Sequence, residues 1–321
     1  MSNNLSKAKV WLVGAGPMAI AYASVLKAMG ITPIVIGRGV NSAKKFTVET
    51  GIHAVTGGLE SFLLENKPDS ETSIIITTGP ETLLSSVLAF KNLPFAKILV
   101  EKPAAISVGE LLAHQDELDG LADKVMVAYN RRYYASVIRA KELIEADGGL
   151  QSMHFEFTEW AHKIEPLEKA SGVKENWFFA NSTHVVDLAF FLAGNPKDWS
   201  AYSKAGKLTW HSKTNFSGAG ITENGVLFSY LSNWESAGRW GIELMTYKRR
   251  IYLKPLEGIQ IQNKGSILVE EYAFDKEIDD QFKPGLYNQV EDFLETCSDG
   301  ILSLREHARK AKDVYAKILG E

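Results

Sequence analysis

The chain has 321 residues, more than one hydrophobic core usually organises, so two domains are expected. Its 45% hydrophobic and 23% charged residues exclude a disordered or fibrous chain, and a formal net charge of -4 excludes any general attraction to nucleic acid or anionic lipid. The single cysteine, Cys297, excludes an intramolecular disulfide and reads as a small half-buried residue at the end of a helix. The polar start MSNNLSKAKV lacks an apolar signal stretch, and runs such as VVDLAFFLAG are too short to span a bilayer, so a cytoplasmic protein is expected.

In chain order, KVWLVGAG is a β-branched, apolar run ending in glycines, and PMAIAYASVLKAMG follows with helical spacing and a terminal Gly30. PIVIG repeats the strand pattern and SAKKFTVETG the helical one. HAVTGG, a helix from Leu59 to Asn66, SIIITT, a helix over ETLLSSVLAFKN and the strand KILVEKP come next; SVGELLAHQDELDGLAD and KVMVAYN close the series. Short continuous apolar strands separated by amphipathic helices indicate a parallel sheet covered on both faces.

After Asn130 the rhythm changes. A helix over SVIRAKELIEAD precedes LQSMHFEFTEW, whose alternation marks a strand with one wet face, and a helix runs from His184 to Ala193, stopped by Gly194 and Pro196. KLTWHSKTNF, NGVLFSYLSNW, WGIELMTYK, RIYLKPL and IQIQ read as strands of a mostly antiparallel sheet; helices over Tyr287–Cys297 and Ser303–Leu319 end the chain. The expected architecture is an α/β Rossmann domain over residues 1–128, followed by an α+β domain with an open, mostly antiparallel sheet over 129–321.

Gly14, Gly16 and Ala19, with Pro17 and Met18 between, form the GxGxxG/A pattern at the end of the first strand. Gly14 permits the tight turn, Gly16 lets backbone approach a pyrophosphate, and Ala19 keeps the helix close to the sheet while its N-terminus faces the phosphates. The strand–turn–helix setting at the head of a βαβ series turns this short motif into a dinucleotide site. Where an acidic residue would hold the ribose of NAD, the second strand ends in Gly37, Arg38 and Gly39. Arg38 suits a 2′-phosphate, with Ser42 and Lys45 assisting, so NADP is favoured and NAD stays open.

Three segments, GAGPMA, VEKPAA (Val100–Ala105) and THVVDLAFFLAG (Thr183–Gly194), together with YNRRY after the sixth strand, resemble the Gfo/Idh/MocA (glucose–fructose oxidoreductase-like) family over essentially the whole chain. The resemblance implies NAD(P)-dependent hydride transfer to or from a hydroxyl-bearing carbon of a sugar or sugar nucleotide, in a homodimer or homotetramer paired through its open sheet. It gives Lys102 the place over the nicotinamide, where an ammonium stabilises a developing alkoxide, with Glu101 and Pro103 positioning it. It also lays Thr77, Thr78, Gly79 and Pro80 against the cofactor, with Glu101, Lys102 and Asn130.

His184 is the expected proton acceptor: a place in the first helical turn favours neutral imidazole, and Asp187, three residues on, shares its face and is expected to orient the ring. Arg131, Trp160, His162, Asn176, Trp177 and Asn181 are candidates for a polyhydroxylated ligand, alongside Lys102 and His184. The chain departs from the family at Ala180 and Ser182, where an acidic residue and a glycine are usual, so a Lys–Asp–His site is incomplete, and whether Asn181 or a residue elsewhere compensates stays open. Lys283, Tyr287 and Gln289, in a tail similar to that of members acting on polysaccharide precursors, read as structural. His53, His114, His154, His211 and His307 lack metal-ligand spacing, and no metal is expected. Two other readings stay open: a redox-cofactor glycosidase, and a non-catalytic dinucleotide-binding regulator.

Overall fold

In the computed structural model the chain divides into two compact units, one taking the described residues up to Asn130 together with Asp279–Arg309, the other Arg131–Ile278 with Lys310–Glu321. The structure describes residues 5–295, 297–298 and 300–321; the polar start at residues 1–4, and Thr296 within the expected Tyr287–Cys297 helix, lie outside them. A boundary at 128/129 did not anticipate the return of 279–309 to the first unit.

The first unit holds a seven-stranded sheet. Strands β1 (Val10–Val13), β2 (Ile34–Ile36), β3 (Ala54–Val55), β4 (Ser73–Ile76), β5 (Lys97–Glu101) and β6 (Val125–Ala128) lie parallel in the order β3-β2-β1-β4-β5-β6, and Leu302–Ser303 pairs antiparallel beyond β6. Every side chain of β1 and β4 is buried, as expected for strands covered on both faces. Strand order reverses between β1 and β4, so the crossovers after these two strands leave opposite faces and a crevice opens at their carboxyl ends. Helix α1 (Pro17–Ala28) follows β1, with Pro17 in its first turn, and α2 (Val40–Thr50) follows β2, ending on Gly51 at φ +75°. The expected 107–123 helix is two short ones, Val108–Ala113 and Gln115–Leu118. Ser107 caps the first by accepting from the Glu110 amide at 3.0 Å, while the Glu110 carboxylate accepts from the Ile106 amide at 2.7 Å.

The second unit is built on an eight-stranded sheet: β7 (Leu150–Glu156), β8 (Pro196–Lys204), β9 (Asn215–Thr222), β10 (Leu227–Asn233), β11 (Gly241–Thr246), β12 (Arg249–Leu253), β13 (Gln260–Asn263) and β14 (Glu270–Glu271), in the order β14-β13-β12-β11-β7-β10-β9-β8. Only the β7–β10 pair is parallel among these described strands. One face carries the core, where Phe155, Phe157, Phe216 and Tyr230 pack ring on ring. The other face of β10 presents Leu227 and Leu231 to solvent.

The strand expected over KLTWHSKTNF is a correction. Residues 207–214 are irregular, and the strand before β9 is PKDWSAYSK, an edge strand opening on proline and carrying charges, the composition that keeps sheet edges from pairing with other chains. The expected 303–319 helix is Leu304–Lys310, a wide π-helical turn over Ala311–Tyr315, and Ala316–Leu319.

Asp187 anchors this unit's interior. Its carboxylate accepts two bonds of 2.7 Å from Arg132 and one of 3.0 Å from the Lys310 ammonium, with all three side chains almost wholly enclosed. Burial pushes the Asp187 carboxyl up, but Arg132 and Lys310 overcome it and hold the group well below the usual carboxylate range. The expectation that Asp187 orients His184 is corrected by this arrangement: its oxygens belong to the two cations.

Candidate functional site

The glycine turn after β1 is fixed by close approach. Gly14 adopts φ +119°, donates to the Ile36 carbonyl at 2.8 Å, and leaves no room for a Cβ, which would lie 2.4 Å from the Thr77 hydroxyl. Thr77 is tied to the same turn through its amide and hydroxyl, both donating to the Val13 carbonyl at 2.7 and 3.0 Å. Gly37, at the end of β2, is equally confined, a Cβ there lying 3.1 Å from that of Ala15. Gly16 differs: a Cβ would meet nothing within 4 Å. The chain has bent backbone against backbone at Gly14 and left open space over Gly16, at the start of α1.

That space belongs to a cleft of about 570 Å³, lined by Gly14, Ala15 and Gly16, by Arg38, Gly39 and Ser42, by Gly57, Gly58, Leu59 and Glu60, and by Thr77, Thr78, Gly79 and Glu81. The Thr78 hydroxyl is buried with no hydrogen-bond partner, an orphaned polar atom in the cleft wall. A pyrophosphate fits this donor set: open backbone over Gly16, a helix start in α1, and a hydroxyl without an acceptor. Of the residues expected to hold a cofactor, Gly14, Gly16, Arg38, Ser42, Thr77, Thr78 and Gly79 line the cleft; Pro17, Met18 and Ala19 form the first turn of α1; Gly37 lies beneath; and Pro80 begins the turn after Gly79. Gly57 and Gly58, both at positive φ, were not foreseen as lining, although the paired glycines of HAVTGG are the signal for a second close backbone approach.

Glu101, Lys102 and Asn130 stand outside that lining. Lys102 directly follows β5 at the carboxyl edge of the sheet. Burial pushes the Glu101 carboxyl above its ordinary value, opposed by Lys102 and by the Tyr22 hydroxyl of α1, which donates to it at 2.9 Å. Past Lys102 the chain takes a cis Lys102–Pro103 bond and Ala104 at φ +67°, and the buried His307 ring sits 2.8 Å from the Pro103 carbonyl. Asn130 donates its amide to the Pro284 carbonyl at 2.9 Å, and Gln289 is fully buried.

In the second unit the candidates gather around Trp240, which was not foreseen. The Arg131 guanidinium lies 4.6 Å from its ring centroid, that of Arg239 4.8 Å, and the His184 ring 6.1 Å. Arg239 also stacks 4.7 Å from Trp160, whose indole donates to the Gly238 carbonyl and whose ring lies 6.3 Å from His162. Burial pulls the Arg131 pKa down, with Tyr134, Glu257 and Glu159 acting against it and Arg239 with it. Asn176 turns away, its amide donating to the Gly172 carbonyl at 2.8 Å.

Glu159 was likewise not foreseen. It is 2% exposed and accepts from the Asn181 amide at 3.0 and 3.2 Å and from the Ser182 hydroxyl at 2.7 Å. Burial raises its pKa, while Ser182, Asn181 and Trp177 pull it back. Ser182 immediately precedes the Thr183–Ala193 helix, so this carboxyl lies against the helical segment that carries His184. His184 itself, 5% exposed, is not at a bare helix start: Trp177 and Ser182 are already right-handed helical, and Phe178–Ser182 forms a wide π-helical turn running into the helix. The dipole argument for a neutral imidazole therefore loses its basis, because the exposed amides lie more than a turn away.

Among the described residues no group of three or more His, Cys, Asp or Glu is placed to hold a metal, and no helix is long and apolar enough to cross a membrane.

Neither a protein-family profile nor a curated protein matches the sequence. Solved structures do match in fold. An oxidoreductase from Agrobacterium radiobacter, solved with NAD+, L-tartaric acid and magnesium, has a TM-score of 0.73 at 14% identity, over 98% of this chain and 97% of that one. UDP-N-acetylglucosamine 3-dehydrogenase from Acidithiobacillus ferrooxidans gives 0.70 at 14% identity over 97% of each chain. A levoglucosan dehydrogenase solved with NADH and L-sorbose gives 0.73 at 16% identity, over 98% and 96%. At these identities the likeness shows the fold.

Proposed function

We propose that the protein is a nicotinamide-dinucleotide-dependent oxidoreductase acting on a hydroxyl-bearing carbon of a sugar or sugar nucleotide. The observation that carries this reading is the opening over Gly16 beside the unpartnered Thr78 hydroxyl, in a cleft at the carboxyl ends of β1 and β4. The retained Lys102 and His184, and fold neighbours named as sugar and nucleotide-sugar dehydrogenases, support it.

When bound, the dinucleotide supplies the hydride acceptor or donor at nicotinamide C4. The backbone at Gly14–Gly16 and the first turn of α1 receive the pyrophosphate, with Thr78 donating its hydroxyl proton. Lys102 directs its ammonium at the substrate oxygen and stabilises the alkoxide character that grows there. The His184 imidazole takes the hydroxyl proton on oxidation and returns it on reduction. Glu159 is the carboxyl of this half of the reaction, filling the part left vacant at Ala180. The solvent-facing leucines of β10 suit pairing with a second copy of the chain.

Arg38 sets the choice of dinucleotide. It is exposed and borders the cleft beside Ser42, and the end of β2 carries no carboxylate that would repel a 2′-phosphate. In Arg38→Gln the NADPH dissociation constant should rise about 10- to 100-fold and that of NADH should stay nearly constant, since one charge-assisted pair is worth roughly 1.5–3 kcal/mol. Equal losses for both dinucleotides would overturn NADP preference, and reduction of NADP+ at 340 nm by members of a sugar and nucleotide-sugar panel tests the activity itself.

A further inference from the structure

Trp160, Arg239, Trp240, Arg131 and Tyr134 form one alternating ladder of rings and guanidinium groups, with successive separations of 4.7, 4.8, 4.6 and 6.0 Å. It runs from the surface inward: Trp160 is 46% exposed and Arg239 is exposed, whereas Trp240 is 5% exposed. Two like charges therefore share one indole. No carboxylate lies within ion-pair distance of either among the described residues.

The contrast with other arginines of the same unit is direct. Arg132, the next residue, is neutralised by Asp187 through a two-pronged pair, and Arg249 is neutralised by Asp147 in the same manner. Arg131 and Arg239, beside Trp240, have no such carboxylate fork. The Arg131 Nε and the Trp240 indole nitrogen are both enclosed without an acceptor. Glu159, which is within electrostatic reach of both guanidinium groups, already spends its oxygens on Asn181 and Ser182. Buried donors without acceptors, beside two guanidinium groups that no carboxylate pairs with directly, are the negative image of an anion. The exposed Trp160 ring adds a flat apolar surface of the kind that packs against the C–H face of a sugar ring.

We infer that the substrate is an acidic carbohydrate, whose carboxylate or phosphate is held by Arg131 and Arg239 while its ring packs on the exposed indole of Trp160. This names the substrate class within the function proposed above and rests on that reading for the carbohydrate part alone.

The test is calorimetric titration of the intact protein, without dinucleotide and at constant ionic strength, with D-glucuronate, D-glucose 6-phosphate, inorganic phosphate and D-glucose. One or both acidic sugars should bind at least about tenfold more tightly than glucose, and in Arg239→Gln and Arg131→Gln that advantage should fall by about tenfold or more. Arg239 is exposed, so its variant tests the site without disturbing the interior, and Arg239→Lys, which keeps the charge without the fork, should fall between. The phosphate arm separates the two anions: binding of phosphate and the sugar phosphate but not of glucuronate assigns a phosphate, and the reverse a carboxylate. Equal binding of acidic and neutral sugars, or an advantage that survives both substitutions, overturns the inference. Because the readout needs no turnover, a protein that binds acidic sugars but transfers no hydride would contradict the proposed reaction and leave the anion site standing.

Discussion

Replacing Lys102 with methionine is expected to lower kcat by about 10²–10³-fold, the usual cost of deleting one donor aimed at a developing oxyanion. Methionine keeps the length of the aliphatic stem and removes the charge alone. The Lys102 ammonium also opposes the burial of the Glu101 carboxyl, which keeps the Tyr22 hydroxyl at 2.9 Å, so the variant is expected to lose some stability as well as rate. In the folded variant the loss of rate should come with a dinucleotide dissociation constant within about twofold of the native one, as expected for an interaction made in the transition state. The assay is initial-rate kinetics with the best substrate from the sugar panel. An unchanged kcat would remove Lys102 from the chemistry.

Replacing Asp187 with asparagine should cost about 3–5 kcal/mol of folding stability, because it leaves Arg132 and Lys310 buried without their counter-ion. Urea unfolding of the variant reads this directly; a loss below about 1 kcal/mol would mean that the two cations find solvent, as exposed pairs do. The same network sets a sign for acid. The folded Asp187 carboxyl is held below its unfolded value of about 3.9, so its contribution is complete above that pH and is lost as pH falls toward the folded value. A triple replacement by apolar residues of similar volume at 132, 187 and 310 should restore much of the loss, since a buried ion triad is often no more stabilising than well-packed hydrocarbon.

The parts of the molecule that sequence discloses are those governed by short-range sterics. The glycine at 14 could be placed because a tight turn demands a missing Cβ at a fixed offset from a strand end, and that at 16 because the same pattern leaves the backbone open there. Buried parallel strands were plain for a similar reason, since continuous apolar runs have few alternatives. What stayed hidden depends on distant partners. Asp187 and His184 share a helix face, which suggested a pair, yet the cations that claim Asp187 lie 55 and 123 residues away. Glu159 is 22 residues from Asn181 and stands in a strand-end segment with no motif around it. Trp240 and Arg239 follow a glycine turn that reads as ordinary punctuation. The edge strand Pro196–Lys204 was illegible because protection against edge pairing calls for the proline and charges that argue against a strand.

If the open backbone over Gly16 receives a dinucleotide pyrophosphate, titration of NADPH into the native protein and into Gly16→Val will read it out. Gly16 has φ -89° and free space around the position of a Cβ, so valine should fold there with a native melting temperature. Saturable binding of one NADPH per chain is expected, weakened by about 100-fold or more in the variant, where the side chain occupies the place of the phosphates. Native-like NADPH affinity in a folded Gly16→Val protein, or no binding of NADPH or NADH to the native chain, would contradict it.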